Sequence, residues 1–447
     1  MDRVIRKPLV IVVVLIVAAT LTIGARYVVV AGPAGAGFAA KQLCSLVFYA
    51  GLDPKRAQSL YVDSAVFPLS LSLAASYDDK SRQVSVSGFG VFSARAQMRD
   101  GLGCTLITAL DTNDNLPPVT LPSVVNKPLA RASTDEVATV FDVEQVNEAV
   151  KTAFATRHNT LAVAVLHRGK LVAEGYAETI SSNTPLPGWS MAKSVTATLV
   201  GILVNQGRLD VNAPGAVAVW RTETDGRADV TLDQLLRMTS GVDIVEHQSG
   251  TDPTTRMLLL ESDAAAYAAG RGLKAPPGTH WEYTSGNSVL VSRILVEASG
   301  GTLRDSQIFM RRHLFMPLGA ATFVMEPDLS GTFIGSSFVL ASAHDWAKFG
   351  QLYLSDGVWD GKRLLPQGWR DYVTRVTRES GNSRYGAGFW RARAGSSLPE
   401  DTFFANGFQG QYVVVIPSHE LVVVRLGASH GSGGTWQLVE GVIAATR

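Results

Sequence analysis

Strand-forming segments lie at the two ends of residues 136–447, with helical patterning between them, and this spacing most constrains what the chain can fold into. At the near end, after a helix over roughly Val143 to Ala155, Leu161 to Leu166 and Leu171 to Glu178 flank the turn His167-Arg168-Gly169-Lys170, as in a hairpin. At the far end, Tyr412 to Ile416 and Leu421 to Leu426 flank Pro417-Ser418-His419, and a closing helix over about Thr435 to Ala445 follows. Strands at both ends with helices between predict one sheet joined from the two ends, with a helical insert. Tyr385-Gly386-Ala387-Gly388-Phe389-Trp390 reads as the start of another strand of that sheet.

Two regions precede this one. Residues 1–35 read as a membrane anchor and linker. Arg3, Arg6 and Lys7 precede an apolar run from Pro8 to Ala25, about 18 residues and at the short end for a spanning helix. The positive flank predicts a cytoplasmic start, with the rest of the chain on the periplasmic or extracytoplasmic side. An uncleaved anchor is favoured over a signal peptide because Ile23 spoils a small-x-small cleavage site ending at Ala25; if the run is a signal peptide, the product is secreted. Ala31 to Ala40, rich in Gly and Ala, reads as linker. Residues 36–135 read as a small mixed region, with a helical start around Ala40 to Tyr49 and strands such as Gln83 to Gly88 and Cys104 to Ile107. In an exported chain the two cysteines, Cys44 and Cys104, are expected to pair as one disulfide; two separate buried thiols are the alternative.

Within 136–447 the most informative stretch is Ser190-Met191-Ala192-Lys193. A serine and a lysine three residues apart at a helix start share one face, which places an amine beside a hydroxyl. An unprotonated amine there can take the hydroxyl proton and make the oxygen nucleophilic. Val195, Leu199, Ile202 and Leu203 continue the helix, and Gly207 stands where a C-terminal cap is expected. Taken alone, the four letters are better read as an N-cap serine followed by a solvated lysine. A second candidate is Tyr283, after the loop Pro276-Pro277-Gly278 and before a helix carrying Leu290, Ile294 and Leu295. A phenol beside an ammonium can have its pKa lowered and take part in proton transfer. A half-buried tyrosine with its hydroxyl on water is the commoner outcome. A third is Asn406-Gly407-Phe408-Gln409-Gly410-Gln411, where glycines at a strand start admit a close ligand and backbone N–H groups can stabilise an oxyanion with that of Ser190; a glycine bulge is the alternative.

Taken together, these segments resemble the serine β-lactamase and penicillin-binding-protein superfamily, and more closely its esterase, peptidase and amide-hydrolase branch, which includes the 6-aminohexanoate-dimer hydrolases. Leu235-Leu236-Arg237-Met238-Thr239-Ser240-Gly241, Leu340 to Gly350 and Gly361-Lys362-Arg363-Leu364-Leu365-Pro366 fit as well, and the likeness spans about residues 145 to 445. It implies an α+β fold, with an antiparallel sheet flanked by helices and a helical subdomain. It makes Ser190 the nucleophile, Lys193 its base and Tyr283 the proton shuttle, and it gives the second oxyanion N–H to Phe408, after Gly407. The chain departs from the family pattern at two places. The basic residue of the third motif is missing from Ala405-Asn406-Gly407, and Tyr-x-Asn becomes Tyr283-Thr284-Ser285 with Asn287 two places late. Ser285 and Asn287 stay substrate-binding candidates, as does Trp189, which reads equally as core. The departures argue against an efficient β-lactamase or carboxypeptidase and leave ester or amide hydrolysis intact. A weak or inactive penicillin-binding-like module at the cell envelope, or a β-lactamase or D-peptidase, are the competing readings.

Other chemistries have little footing. With 46% hydrophobic and 18% charged residues, net charge +1 and no basic block beyond the N-terminus, the chain carries no footprint for nucleic acid. No cofactor is expected, and the eight histidines show no paired ligand spacing that would predict a metal. An α/β-hydrolase elbow at Gly188-Trp189-Ser190-Met191-Ala192 would need a strand where Pro185 and Pro187 stand, and no Asp-then-His pair with supporting context follows, His430 being the best triad candidate. Trp346, Phe349, Leu352 and Tyr353 fall at helical spacing and read as packing, whereas Phe408 is placed over the substrate entrance, favouring apolar acyl groups.

Overall fold

The computed structural model describes residues 24, 27–108, 114, 116–247 and 249–447. The apolar run Pro8 to Ala25 lies, but for Gly24, outside them; among the described residues no helix is long and apolar enough to cross a membrane.

The first described element is a helix over 27–44, extended by a wider turn at Ser45–Tyr49. Ala31 to Ala40 belongs to this helix and is not a linker: Ala31, Ala34, Ala36, Ala39 and Ala40 are all buried. Its small residues admit neighbours closely. A Cβ on Gly32 would overlap the Phe92 ring, and one on Gly37 would stand 2.9 Å from the Leu259 carbonyl oxygen. A four-stranded antiparallel meander follows: β1 (Leu73–Asp78), β2 (Gln83–Gly88), β3 (Phe92–Arg99) and β4 (Gly103–Ile107). The Cys44–Cys104 disulfide ties the helix to β4, with Cα atoms 6.0 Å apart. Beside it, Lys41 pairs with Glu326, whose carboxylate also accepts from Ser45 Oγ (2.8 Å) and the Cys104 N–H (2.6 Å). One hydrophobic cluster runs from Ala36, Leu43 and Leu106 into Met257 and Phe338, so the small region and the large one share a core.

The large region is built on a six-stranded antiparallel sheet. Its strands are β5 (Thr160–His167), β6 (Lys170–Tyr176), β12 (Trp390–Arg391), β13 (Phe403–Gly407), β14 (Gln411–Ile416) and β15 (Leu421–Gly427), in the order β12-β13-β14-β15-β5-β6. The two ends of the region meet at the β15–β5 pairing, from Leu421 opposite His167 to Leu426 opposite Ala162. Of the Tyr385 to Trp390 segment only Trp390 enters a strand. Between the sheet halves lie a small sheet of β7 (Leu186–Pro187), β8 (Val324–Met325) and β9 (Val339–Ala341), and the hairpin β10 (Val358–Trp359) and β11 (Lys362–Arg363).

Both faces of the large sheet are buried, which explains why its inner strands read as unbroken apolar runs. On one face Val163, Val165, Val414 and Val423 pack under the helices Val143–Ala153 and Thr435–Ala444. On the other, Ala162, Ala164, Val413 and Val422 meet the helix Ala343–Leu354, whose Trp346, Phe349, Leu352 and Tyr353 are core. The helix Met191–Asn205 is buried along nearly its whole length and ends at Gly207, whose φ of 68° suits the cap position.

Candidate active site

Ser190 stands at the turn from β7 into the helix Met191–Asn205. Gly188 extends the β7–β9 pairing through its N–H to Val339 O (2.8 Å), and the helix opens with the Met191, Ala192 and Lys193 N–H groups bonding back to residues 188–190. Trp189, just before the nucleophile candidate, holds φ at 48°, a left-handed conformation uncommon for a bulky residue. Three contacts hold it there. Its indole N–H donates to Gln409 Oε1 (3.2 Å), Phe38 stacks on it at 5.6 Å, and Phe408 meets it edge-on at 5.5 Å.

Ser190 makes no capping hydrogen bond with its side chain. Its Oγ lies 3.1 Å from Lys193 Nζ, which also donates to Ser285 Oγ (3.2 Å) and Ser336 O (3.0 Å). Lys193 is only 3% exposed. Burial penalises the ammonium and pulls its pKa down to about 8, against an opposing pull from the Glu246 carboxylate. At pH 7 about a tenth of such a group is neutral, against well under a thousandth for free lysine.

Tyr283 lies two residues before the helix Ser285–Ser299, which Thr284 caps. Its hydroxyl lies near Ser190, and Lys193 Nζ sits 4.7 Å from its ring centre. The expectation of a lowered pKa is corrected. Burial and the nearby Glu246 charge raise it well above the ordinary phenol value and outweigh the opposing pull from Ser190, so Tyr283 stays a neutral phenol.

Gly407 ends β13 against the turn that carries Ser190. A Cβ there would overlap the Gly188 carbonyl oxygen, so glycine is required by close approach. The following turn is braced from two sides. The Gln411 amide donates to Phe408 O (3.0 Å) and Gln409 O (3.1 Å), and the buried Arg425 donates to Gly410 O (2.6 Å).

Ser190, Lys193, Tyr283, Ser285, Trp189, Gly407 and Phe408 therefore converge. Asn287 does not: it is buried in its helix, accepts from Ser240 Oγ (2.5 Å) and lines neither of the two cavities that meet in a cleft at Ser190. Glu246, unremarked in the sequence, lies in the cleft and accepts from the Ser285 N–H (2.5 Å). It stands in a loop with no motif around it. Phe38 and the Tyr61 carbonyl, which accepts from the Gln409 amide (3.2 Å), are contributions of the small region that no local pattern marks.

Residues 146–445 match the sequence profile of the Beta-lactamase family. The 6-aminohexanoate-dimer hydrolase of Paenarthrobacter ureafaciens is 25% identical over 289 residues, 60% of this chain and 72% of that protein. Among solved structures, a Bacillus anthracis chain provisionally named 6-aminohexanoate-dimer hydrolase aligns with TM-score 0.57 and 20% identity, over 73% of this chain and 90% of that one. A D-stereospecific amidohydrolase from Streptomyces sp. aligns with TM-score 0.53 and 19% identity, over 68% and 100%. At such identities the structural likeness bears on fold alone. With the profile spanning well over half of its residues, the chain belongs to the Beta-lactamase family.

Proposed function

We propose that the protein is a serine hydrolase that cleaves ester or amide bonds through an acyl-enzyme on Ser190. One observation carries this reading: a buried amine with a pKa near 8 lies 3.1 Å from a hydroxyl that also lies near a phenol. As Ser190 Oγ bonds to the carbonyl carbon, its proton passes to neutral Lys193. The N–H groups of Ser190 and Phe408 bear the oxyanion. When the tetrahedral species collapses, the bond to the leaving oxygen or nitrogen breaks and that atom takes the Tyr283 proton; Lys193 then returns its proton to the phenolate. Water adds to the acyl carbonyl and gives up a proton to Lys193. The carboxylic acid departs as Ser190 regains its hydrogen.

The relatives' names support an ester or amide substrate. The missing basic residue at Ala405-Asn406-Gly407 argues against efficient β-lactam or D-peptide turnover, since no cation stands there for the substrate carboxylate. The disulfide fits an oxidising, extracytoplasmic setting, and the basic flank before Pro8 to Ala25 fits a chain anchored by that run. The test is intact-mass detection of a covalent adduct after exposure to a fluorophosphonate, esters, amides and penicillins. A single adduct on wild type and none on Ser190→Ala is expected. Silence from every probe returns the protein to a non-catalytic envelope module.

A further inference from the structure

Two arms of unlike chemistry meet at Ser190. One, about 340 Å³, is the more apolar: Ala31, Ala34 and Phe38 of the N-terminal helix form one wall with Val66, Phe67 and Phe338, facing a polar side that carries Glu246 and Asp252. The other, about 440 Å³, is mixed, with Asn406, Ser429, His430 and Ser432 along it beside the rings of Trp390 and Tyr412. Each lies within the usual ligand range of roughly 300–1,000 Å³. Tyr283 lines the mixed arm and not the more apolar one.

That placement orients the substrate. In the mechanism above, Tyr283 protonates the leaving group, so the leaving group must occupy the arm that Tyr283 lines. The acyl group then has only the other arm to enter. We propose that the substrates are esters or amides of medium- to long-chain fatty acyl groups with a polar leaving group, and that the N-terminal helix and the 65–67 segment form the acyl-binding wall. This rests on the serine-hydrolase reading and adds the substrate class. It also gives the small region a role in specificity. Phe67, 67% exposed at the arm's edge, is then a surface that an acyl chain covers on binding.

The test is kcat/KM of the full chain on p-nitrophenyl acetate, butyrate, hexanoate and octanoate. Burial of a methylene is worth about fourfold, so a rise of at least about 100-fold from acetate to octanoate is expected. Phe67→Glu places a charge at the edge of the arm, and Ala34→Phe fills it. Each should cut the octanoate-to-acetate ratio at least about tenfold. Should Ala34→Phe fail to fold, the exposed Phe67→Glu carries the test alone. Val219→Glu, at an exposed apolar position on neither arm, should leave the ratio unchanged. The proposal is overturned if acetate is hydrolysed and the rate is flat with acyl length, if neither arm variant moves the ratio, or if lengthening the alcohol of acetate esters raises the rate instead. No hydrolysis of any ester and no fluorophosphonate labelling would sink the hydrolase reading itself, and this inference with it.

Discussion

Phe38 lies flat against Trp189, ring centres 5.6 Å apart and planes 9° apart. The pair joins the N-terminal helix to the residue that precedes Ser190. Trp189 is held in a left-handed conformation that few non-glycine residues adopt, and such strain persists only where neighbours enforce it. Phe38→Ala removes one of the three contacts that do so. A stacked pair contributes about 0.5–1.5 kcal/mol beyond its burial, so the variant should fold and lose about three- to tenfold in kcat/KM on a short ester. Steady-state kinetics on p-nitrophenyl acetate, with circular dichroism to check the fold, reads this out. An unchanged rate would mean that the turn is self-supporting.

Burial sets the working pH of Lys193, and the Glu246 carboxylate partly offsets it. Lysine acts as base only when neutral, so kcat/KM should rise with pH and reach half its plateau at about pH 8. Glu246 raises the Lys193 pKa and opposes the effect of burial. Glu246→Gln keeps an acceptor for the Ser285 N–H and removes the charge. Desolvation then acts unopposed, the pKa falls, and the acid limb of the profile should move to lower pH. A limb that stays in place, or moves up, would show that another group titrates there.

Tyr283 should matter in proportion to how poorly the substrate's leaving group departs. Its raised pKa keeps it a proton donor across the neutral range, and Tyr283→Phe removes that proton while keeping the ring near Lys193. An alkyl ester or an anilide needs its leaving atom protonated and should lose about 10²–10⁴-fold. A p-nitrophenyl ester, which expels a stable phenolate, should lose much less. Equal losses on both would assign Tyr283 to positioning Ser190 rather than to proton transfer.

Much of this site is legible in the chain because its chemistry is local. Ser190 and Lys193 are one helical turn apart, and the sheet strands announce themselves by apolar runs between turns. What escapes is contributed by packing at long range. The stretch Ala31 to Ala40 has the composition of a linker, yet Gly32, Gly35 and Gly37 meet Phe92, Leu69 and Leu259 pressed against the helix, and its alanines are buried. Glu246 sits in a loop, and its effect on two pKa values depends only on what folds around it. The same charge, together with burial, reverses the expected direction for Tyr283. Asn287 fits the expected spacing loosely, but helix geometry turns it toward Ser240.

The junction between the small region and the hydrolase core depends on Glu326. Its carboxylate takes the Lys41 ammonium, the Ser45 hydroxyl and the Cys104 N–H, and both members of the ion pair are 1% exposed at their side chains. Glu326→Ala leaves a buried cation and two donors without this acceptor. Breaking a buried pair by removing one partner destabilises by about 3–5 kcal/mol. Burial already pulls the Lys41 pKa down, and loss of the carboxylate pulls it further. Lys41 then sheds its proton more readily than in the wild type, so the penalty should be smaller at about pH 9 than at about pH 7. Chemical denaturation midpoints of wild type and variant at the two pH values measure this. Lys41 lies one turn along the helix from Phe38, so loosening it should also weaken the support of Trp189 and lower kcat/KM on the short ester. A variant as stable as wild type at neutral pH, or one whose penalty grows with pH, would show that the ion pair does not hold the N-terminal helix in place.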